Sequence, residues 1–307
     1  MEYILQTKGV SKRYKSKWVL RSVNMNIQRG DIYGFVGENG SGKTTIIRLI
    51  TGLIFPNEGS FELFGKSNTS PDILEARAKI GAIVESPSIY LNMSARENLK
   101  MQCEILGIDN EQKIKDALLE VGLIDLYADT RKAGDFSLGM RQRLGIAMAL
   151  LGDVEFIILD EPMNGLDPAG IVEVRELILR LNREKGITFL ISSHILTELA
   201  LVASRYGIIS HGKMIKEISS EELKNECRRS ISIEAKDKKA LLVLLAKTVP
   251  IEDIVPITNG ARVYGDINLT ATLSAIIESG NEILSVNCSE SSIEDYYLSV
   301  TGGARHV

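Results

Sequence analysis

Gly37-Glu38-Asn39-Gly40-Ser41-Gly42-Lys43-Thr44-Thr45 is the stretch of sequence that decides the fold. It follows an apolar run, Ile32–Val36, that is predicted as a strand, and it opens a predicted helix near Thr44. This is the pattern of a P-loop, in which glycines let the backbone wrap a phosphate chain with its N–H groups pointing inward. The N-terminus of the following helix adds a partial positive charge. The stretch therefore predicts a nucleoside triphosphate site within an α/β fold.

The side chains of this loop have separate predicted tasks. Lys43 is long enough to reach the β- and γ-phosphates, and the hydroxyl of Thr44 is suited to bind Mg²⁺. Mg²⁺ is accordingly an expected cofactor. The residues predicted to hold the nucleotide are Gly37, Asn39, Gly40, Ser41, Gly42, Lys43, Thr44 and Thr45.

Two carboxylates end a second apolar run, Phe156–Leu159, which is also predicted as a strand. Asp160 is placed to hold Mg²⁺, and Glu161 is placed to polarise an attacking water as general base. Ligands of open α/β sheets sit at the carboxyl ends of the strands. Four residues directly follow or end predicted strands and are expected to meet at one edge of the sheet: Gly37, Glu85, Asp160 and His194.

Composition limits the class of protein. The 307 residues include 44% hydrophobic and 25% charged residues, which is ordinary for a globular chain. A net charge of −4 argues against nucleic acid as the main partner, because phosphates usually require a basic surface. Three scattered cysteines predict free thiols in a reducing cytosol. The sequence shows no signal peptide and no run of roughly 18 apolar residues, so any membrane role is expected to pass through a partner.

Short apolar runs alternate with helical stretches over the first two thirds of the chain, which predicts a mostly parallel sheet covered on both faces. A mainly helical block begins at Ser94, where Glu97 completes a capping box. A further helix is predicted over Ile171–Lys185, and Gly186 ends it. The predicted strands are Ile32–Val36, Ile80–Val84, Phe156–Leu159, Thr188–Ser192 and Gly207–Ser210.

The pattern changes near Lys216, which predicts a domain boundary. We expect an ATP-binding domain over residues 1–217, a linker helix over 218–229 and an α+β accessory domain over 230–307. The accessory domain reads as a ferredoxin-like βαββαβ unit. Its predicted elements are strand Ile231–Ala235, helix Lys238–Lys247, strand Ile251–Ile257, strand Arg262–Asp266, helix Thr270–Ser279 and strand Ile283–Asn287, with a last helix at Ile293–Val300.

Further motifs carry a resemblance to a known family. They are Tyr14, Phe136-Ser137-Leu138-Gly139-Met140-Arg141-Gln142, Asn164-Gly165-Leu166-Asp167 and Ser192-Ser193-His194. Together with the P-loop, they make residues 1 to about 217 resemble an ATP-binding subunit of an ABC transporter. The resemblance implies a P-loop ABC ATPase fold, with an N-terminal antiparallel β part, a mostly parallel core sheet and a helical subdomain. It also implies that the nucleotide is ATP.

The resemblance implies a role for each matching residue. Tyr14 is expected to stack on adenine, and His194 is expected to contact the γ-phosphate during catalysis. Ser137, Gly139 and Met140 occupy the family signature, although the first glycine and the glutamine of the usual Leu-Ser-Gly-Gly-Gln are replaced. Ser137 also reads as a helix cap whose helix presents free amides to an anion.

In this family the signature belongs to the opposite subunit. The resemblance therefore implies two copies of the chain arranged head to tail, with two ATP molecules between them. It also implies an integral membrane permease as partner, which would place the protein in the cytoplasm on the inner face of the plasma membrane. We expect the helical block Ser94–Tyr127 to receive a cytoplasmic helix of that permease.

Glu85 departs from the family pattern, which usually has glutamine at this strand end. Glutamate here, together with the signature Phe136–Met140, resembles the bacitracin- and lantibiotic-exporter branch. The closing Ser292–Leu298 and Gly302-Gly303 also resemble the end of that branch's ATPases. This implies antibiotic resistance or lantibiotic immunity. A carboxylate at this place also predicts a ligand of Mg²⁺, since this cation prefers anionic oxygen.

Two other functions are weighed against a transporter ATPase. A soluble ABC ATPase of DNA repair is expected to carry a long heptad insertion, and the translation type usually fuses two ATPase domains; this chain has neither feature. Residues 228–307 contain eight Lys and Arg against ten Asp and Glu, a poor surface for nucleic acid. A non-catalytic regulator is disfavoured by intact Lys43, Asp160 and Glu161.

Overall fold

The computed structural model describes most of the chain, in four stretches. They are residues 2–227, 230–265, 268–289 and 293–302. The chain forms two compact units, Met1–Ser220 and Glu221–Val307.

In residues 2–220, the described part of the first unit, there are ten strands and seven helices, and an eighth helix begins at Ser220. The strands are β1 (Tyr3–Tyr14), β2 (Lys17–Gln28), β3 (Ile32–Val36), β4 (Glu58–Leu63), β5 (Lys66–Ser67), β6 (Ile80–Ile83), β7 (Phe156–Asp160), β8 (Thr188–Ser193), β9 (Arg205–Ser210) and β10 (Lys213–Ser219). The helices are α1 (Lys43–Ile50), α2 (Ile73–Arg77), α3 (Ala95–Leu106), α4 (Glu111–Glu120), α5 (Leu138–Ala149), α6 (Pro168–Lys185), α7 (Leu196–Ala200) and α8 (Ser220–Glu226). Two 3₁₀ turns lie at Ile124–Tyr127 and Ala133–Asp135.

A six-stranded sheet forms the centre of this unit, in the order β10-β9-β3-β8-β7-β6. Strands β9, β3, β8, β7 and β6 run parallel, and β10 returns antiparallel beside β9. Every residue of β3, β7 and β8 is buried, which confirms the prediction from their unbroken apolar runs. Because parallel strands end at the same edge, the segments that follow β3, β8, β7 and β6 are neighbours there.

The N-terminal part is a four-stranded antiparallel sheet in the order β2-β1-β4-β5, as expected. Its inner face shares one apolar core with α1 and the central sheet. That core includes Val10 and Phe61 from the antiparallel sheet, Ile46 from α1, and Phe35 and Ile158 from the central sheet. This packing fixes the free end of β1 relative to the loop that precedes α1.

The helical block consists of α3, α4 and α5 with the two 3₁₀ turns. The predicted capping box is confirmed, because Glu97 N donates to Ser94 Oγ at 3.2 Å and Ser94 N donates to Glu97 Oε2 at 2.6 Å. Helix α6 ends at Gly186 as predicted, but it begins at Pro168 rather than at Ile171. The reason is a cap, since Gly170 N donates to Asp167 Oδ1.

The described residues of the second unit form a four-stranded antiparallel sheet and, after α8, three helices. Its order β12-β13-β11-β14 confirms the predicted βαββαβ topology. Its elements are β11 (Ser230–Ala235), α9 (Lys238–Thr248), β12 (Ile254–Ile257), β13 (Gly260–Tyr264), α10 (Leu269–Glu278), β14 (Ile283–Ser289) and α11 (Ile293–Thr301).

Two predicted strand starts in this unit are off by two residues or more. Ile251–Asp253 is a 3₁₀ turn after Pro250, so that strand begins only at Ile254. The next strand begins at Gly260 instead of Arg262. Its predicted last residue, Asp266, lies outside the described residues, as do Ser292 and Gly303 of the closing motif.

Candidate functional site

The phosphate loop connects β3 to α1, as the sequence predicts. Gly40 and Gly42 have φ angles of 79° and 114°, in the left-handed region that glycine adopts without strain. A side chain at Gly42 would also collide with Leu20, because its Cβ would lie 2.6 Å from Leu20 Cδ2. The loop curls around the ammonium of Lys43, which donates to Gly37 O at 2.6 Å. Lys43 is only 5% exposed.

Several hydrogen-bond donors of this loop are left over, and this is the feature that fits a phosphate chain. The buried hydroxyl of Ser41 finds no hydrogen-bond partner within the described residues. Gly42 precedes α1 and offers no side-chain cap, so the amides of the first turn, including Thr44 and Thr45, lack helical partners. The position of a Cβ on Gly40 opens to free space. A buried unpaired donor is costly, and an anion in this cradle satisfies it.

The acidic end of β7 lies two strands from β3 in the sheet, and the strand between them, β8, holds it in place. Asp160 is 3% exposed, and Ser192 Oγ donates to its Oδ1 at 2.5 Å. Glu161 has a φ of 51°, a left-handed conformation that is uncommon for a residue with a side chain. Its backbone N–H donates to Ser192 Oγ at 3.0 Å, which fixes this turn. Ser192 therefore orients the carboxylate of Asp160 and fixes the backbone of Glu161, a role that sequence reasoning did not assign; the serine pair before His194 was its only signal.

The carboxylate of Glu161 lies between Lys43 and His194. Its Oε1 is 3.2 Å from Lys43 Nζ, and its Oε2 is 2.7 Å from His194 Nδ1. The structure thus brings the phosphate-loop lysine, the proposed base and the strand-end histidine together at one sheet edge. Their separate catalytic roles stay predictions.

A further carboxylate, Glu198, lies beside this cluster. Burial raises the pKa of Glu198, the neighbouring Glu161 raises it further, and nearby His194 opposes the shift. Glu198 is on the short helix α7, four residues after His194. His194 lies just before this helix, and sequence reasoning did not use Glu198.

Glu85 follows the same sheet edge but has a different partner. It has a φ of 65°, and its Oε1 lies 2.5 Å from Nη2 of Arg48 in the last turn of α1. The side chain of Glu85 is 63% exposed. Its assignment as a Mg²⁺ ligand stays a prediction, and Arg48 is a partner that the sequence did not suggest.

Tyr14 ends β1 and is 43% exposed. The ammonium of Lys12 lies 5.5 Å from the centroid of its ring. The ring is therefore an exposed aromatic surface with a cation on it, and its assignment to adenine stays a prediction.

The signature segment begins α5. Met140 N donates to Ser137 Oγ at 3.1 Å, which confirms that Ser137 caps this helix. In the described part of the chain, no hydrogen bond or ion pair joins Ser137, Gly139 or Met140 to the phosphate loop. Within one copy, the signature and the loop are separate halves.

None of the helices in the described stretches combines the length and apolar character that a membrane crossing requires. Cys103 is buried and Cys288 is exposed, and both are free thiols, whereas Cys227 is half-buried.

Comparison with known proteins agrees with this geometry. Residues 20–164 match the family model described as ABC transporter. The chain is 42% identical to a bacitracin transport ATP-binding protein of Bacillus licheniformis, over 99% of each chain. It is 43% identical to a lantibiotic transport ATP-binding protein of Streptococcus pyogenes, over 70% of this chain and 90% of that one. It also resembles the ATP-binding cassette MJ0796, solved as a dimer in a post-hydrolysis state with ADP and Pi. The TM-score is 0.62 at 25% identity, over 70% of this chain and 98% of that one.

Proposed function

The chain belongs to the family of ABC transporter ATP-binding proteins, and from this premise we propose that it drives an exporter that removes a membrane-active peptide of the bacitracin or lantibiotic type. The chain is an ATPase subunit, whose hydrolysis of ATP serves transport. The observation that carries the proposed cargo is the likeness to the bacitracin transport protein, which extends through 99% of both chains and so includes the C-terminal unit. The family match leaves a soluble non-transport ATPase without a supporting observation.

The proposed cargo can be tested by measuring the resistance of the source organism to membrane-active peptides. Removing the chain should sensitise cells several-fold to bacitracin or a lantibiotic, and wild-type chain should restore resistance. Glu161→Gln should fail to restore it, because transport requires hydrolysis. An antibiotic with an intracellular target serves as control. Unchanged sensitivity to every peptide tested would contradict the proposed cargo.

The proposed chemistry assigns one task to each member of the catalytic cluster. Lys43 and the loop amides hold the phosphates, and Glu161 accepts a proton from the attacking water. His194, bonded to Glu161 through Nδ1, leaves Nε2 to face the γ-phosphate. The 3.2 Å pair of Lys43 and Glu161 supports this assignment, because it places the base next to the cation that receives the phosphates.

Mg²⁺ is proposed to bind at Thr44, Asp160 and Glu85. Asp160 supports this, since its buried carboxylate makes no ion pair within the described residues and a buried charge needs a counterion. The cation would neutralise charge on the phosphates. Glu85 can bind Mg²⁺ at this site only after its ion pair with Arg48 breaks.

Two copies of the chain are proposed to close head to tail on two ATP molecules. The start of α5 supports this, because in the described residues it makes no hydrogen bond or ion pair with the phosphate loop of its own copy, so its amides suit an anion that is bound by another copy. ATP favours the closed dimer and hydrolysis releases it.

The proposed partner is an integral membrane permease, which would place the chain on the cytoplasmic face of the membrane. A cleft of about 180 Å³ beside the Glu85 loop supports a docking helix there, since β6, α3 and α5 line it. Leu106 and Pro87 contribute to its wall, and Tyr90 and Leu91 are exposed nearby. Crosslinks from the permease should reach Ser94–Tyr127. Crosslinks confined to residues 248–307 would contradict this docking.

A further inference from the structure

We propose that Lys12 is a positioning residue for the base end of the ATP site, acting through Tyr14. The inference rests on the proposed function, in which the Tyr14 ring receives adenine. Lys12 and Tyr14 are two residues apart on β1, so their side chains lie on the same face of the strand. The Lys12 ammonium is 5.5 Å from the centroid of the Tyr14 ring, within the roughly 6 Å over which a cation is attracted to an aromatic face.

The ammonium of Lys12 does not move freely over this ring. It donates to the carbonyl oxygen of Phe55 at 2.6 Å, and its side chain is half-buried. Phe55 lies in the loop that follows α1, whose first residue is Lys43. Lys12 therefore links the aromatic ring to the end of the helix that carries the phosphate loop.

Backbone contacts strengthen the same link. Arg13 N donates to Asn57 Oδ1 at 2.9 Å, and Asn57 N donates to Ser11 O at 2.9 Å. The end of β1 is thus fastened to the loop after α1 on both sides of Lys12. With the strand held in this way, Lys12 adds a contact that bears directly on the ring of Tyr14.

The Lys12 cation lies over one face of the Tyr14 ring, and we expect the other face to receive a flat base. Stacking of a base on an aromatic ring requires only a π face and tolerates different bases. Lys12 should therefore strengthen the binding of purine nucleotides by holding the ring in place, without touching the phosphates or the reacting atoms.

The test measures ATPase kinetics of the full-length chain. Lys12→Met, which keeps the length of the side chain and removes its charge, should raise the KM for ATP about two- to fivefold, the effect of an exposed cation and ring pair. The value of kcat should not change. Inorganic tripolyphosphate, which has no base, should inhibit the variant and the wild type at equal concentrations. Lys12→Arg should restore most of the affinity for ATP.

The chain offers a matched control on the neighbouring residue. The Arg13 guanidinium lies 5.6 Å from the ring centroid of Trp18, so Arg13→Met removes a similar pair next to the site and should leave the KM unchanged. In a Tyr14→Leu background, Lys12→Met should have no further effect, because the proposed action passes through the ring.

The outcomes separate this inference from the function on which it rests. If Tyr14→Leu weakens ATP binding but Lys12→Met does not, the role proposed for Lys12 is wrong, and the assignment of Tyr14 to adenine is kept. If Lys12→Met weakens tripolyphosphate inhibition as much as ATP binding, Lys12 acts on the phosphate loop and the inference is overturned. If Tyr14→Leu leaves the KM for ATP unchanged, the adenine assignment itself is wrong.

Discussion

His194 Nδ1 lies 2.7 Å from Oε2 of Glu161, so the strand-end histidine and the proposed general base form one hydrogen-bonded unit. A carboxylate that accepts from Nδ1–H fixes the orientation of the imidazole and leaves Nε2 free. The other oxygen of Glu161 faces Lys43 at 3.2 Å. The carboxylate of Glu161 is thus held from both sides.

Replacing His194 should slow hydrolysis more than it weakens binding. We expect His194→Ala to lower kcat by about 10²–10³, the effect of losing a positioned group in proton transfer. ATP affinity should change little, because Lys43 and the loop amides remain. His211→Asn is the matched control, since His211 is exposed and asparagine tolerates its φ of 48°. Equal loss of activity in both variants would argue for a general effect on folding.

The pair between Arg48 and Glu85 predicts how the chain responds to Mg²⁺. Glu85→Gln removes the charge and almost no volume, so it should weaken the dependence on Mg²⁺ and change turnover at least several-fold. Arg48→Met should have the opposite effect on the Mg²⁺ titration, because it releases the carboxylate from its 2.5 Å partner. In the Glu85→Gln background, Arg48→Met should add nothing.

Titrations of ATPase activity against Mg²⁺ measure both variants. If neither variant changes the titration or the turnover while peptide resistance is lost, Glu85 acts in coupling to the permease and not in the metal site. If Arg48→Met still changes the Mg²⁺ titration in the Glu85→Gln background, Arg48 does not act through Glu85.

The sequence predicts those parts of the site that depend on local pattern. A glycine-rich loop between a strand and a helix identifies Lys43 from neighbours in the chain, and parallel topology then brings His194 and Glu161 to the same edge. The pair of Arg48 and Glu85 is different, because its partners are 37 residues apart and both are exposed, so no periodicity indicates it.

The wrongly predicted starts of two elements also have physical reasons. Helix α6 begins early because the side chain of Asp167 caps it and Pro168 fits its first turn, and both signals are present in the sequence. The apolar character of Ile251 suggests a strand, yet Ile251–Asp253 turns as a 3₁₀ segment after Pro250. Short apolar runs do not distinguish the two.

The head-to-tail dimer can be tested by mixing two inactive variants. Lys43→Ala removes the phosphate lysine, and Ser137→Asp keeps a helix cap while placing a negative charge against the phosphates. Each variant alone should be inactive. A mixture should regain activity, because one site of each mixed dimer then combines the intact loop of one copy with the intact signature of the other.

Two controls sharpen this experiment. Ser137→Asn, which caps the helix without a charge, should retain more activity than Ser137→Asp. A chain that carries both Lys43→Ala and Ser137→Asp, mixed with wild type, should form mixed dimers without an intact site. If the two single variants never complement each other, the site is built within one copy and the proposed dimer is wrong.

The most direct test of the account is single-turnover hydrolysis of ATP by full-length Glu161→Gln. The variant keeps the shape of the side chain and loses the proton acceptor, so it should bind ATP and hydrolyse it about 10²–10⁴-fold more slowly than wild type. It should also accumulate as an ATP-bound dimer. Asp153→Asn is the matched control, because Asp153 is a fully exposed carboxylate just before β7, the strand that Glu161 follows. This variant should hydrolyse ATP at the wild-type rate. Hydrolysis at the wild-type rate by Glu161→Gln would contradict the assignment of Glu161 as the catalytic base.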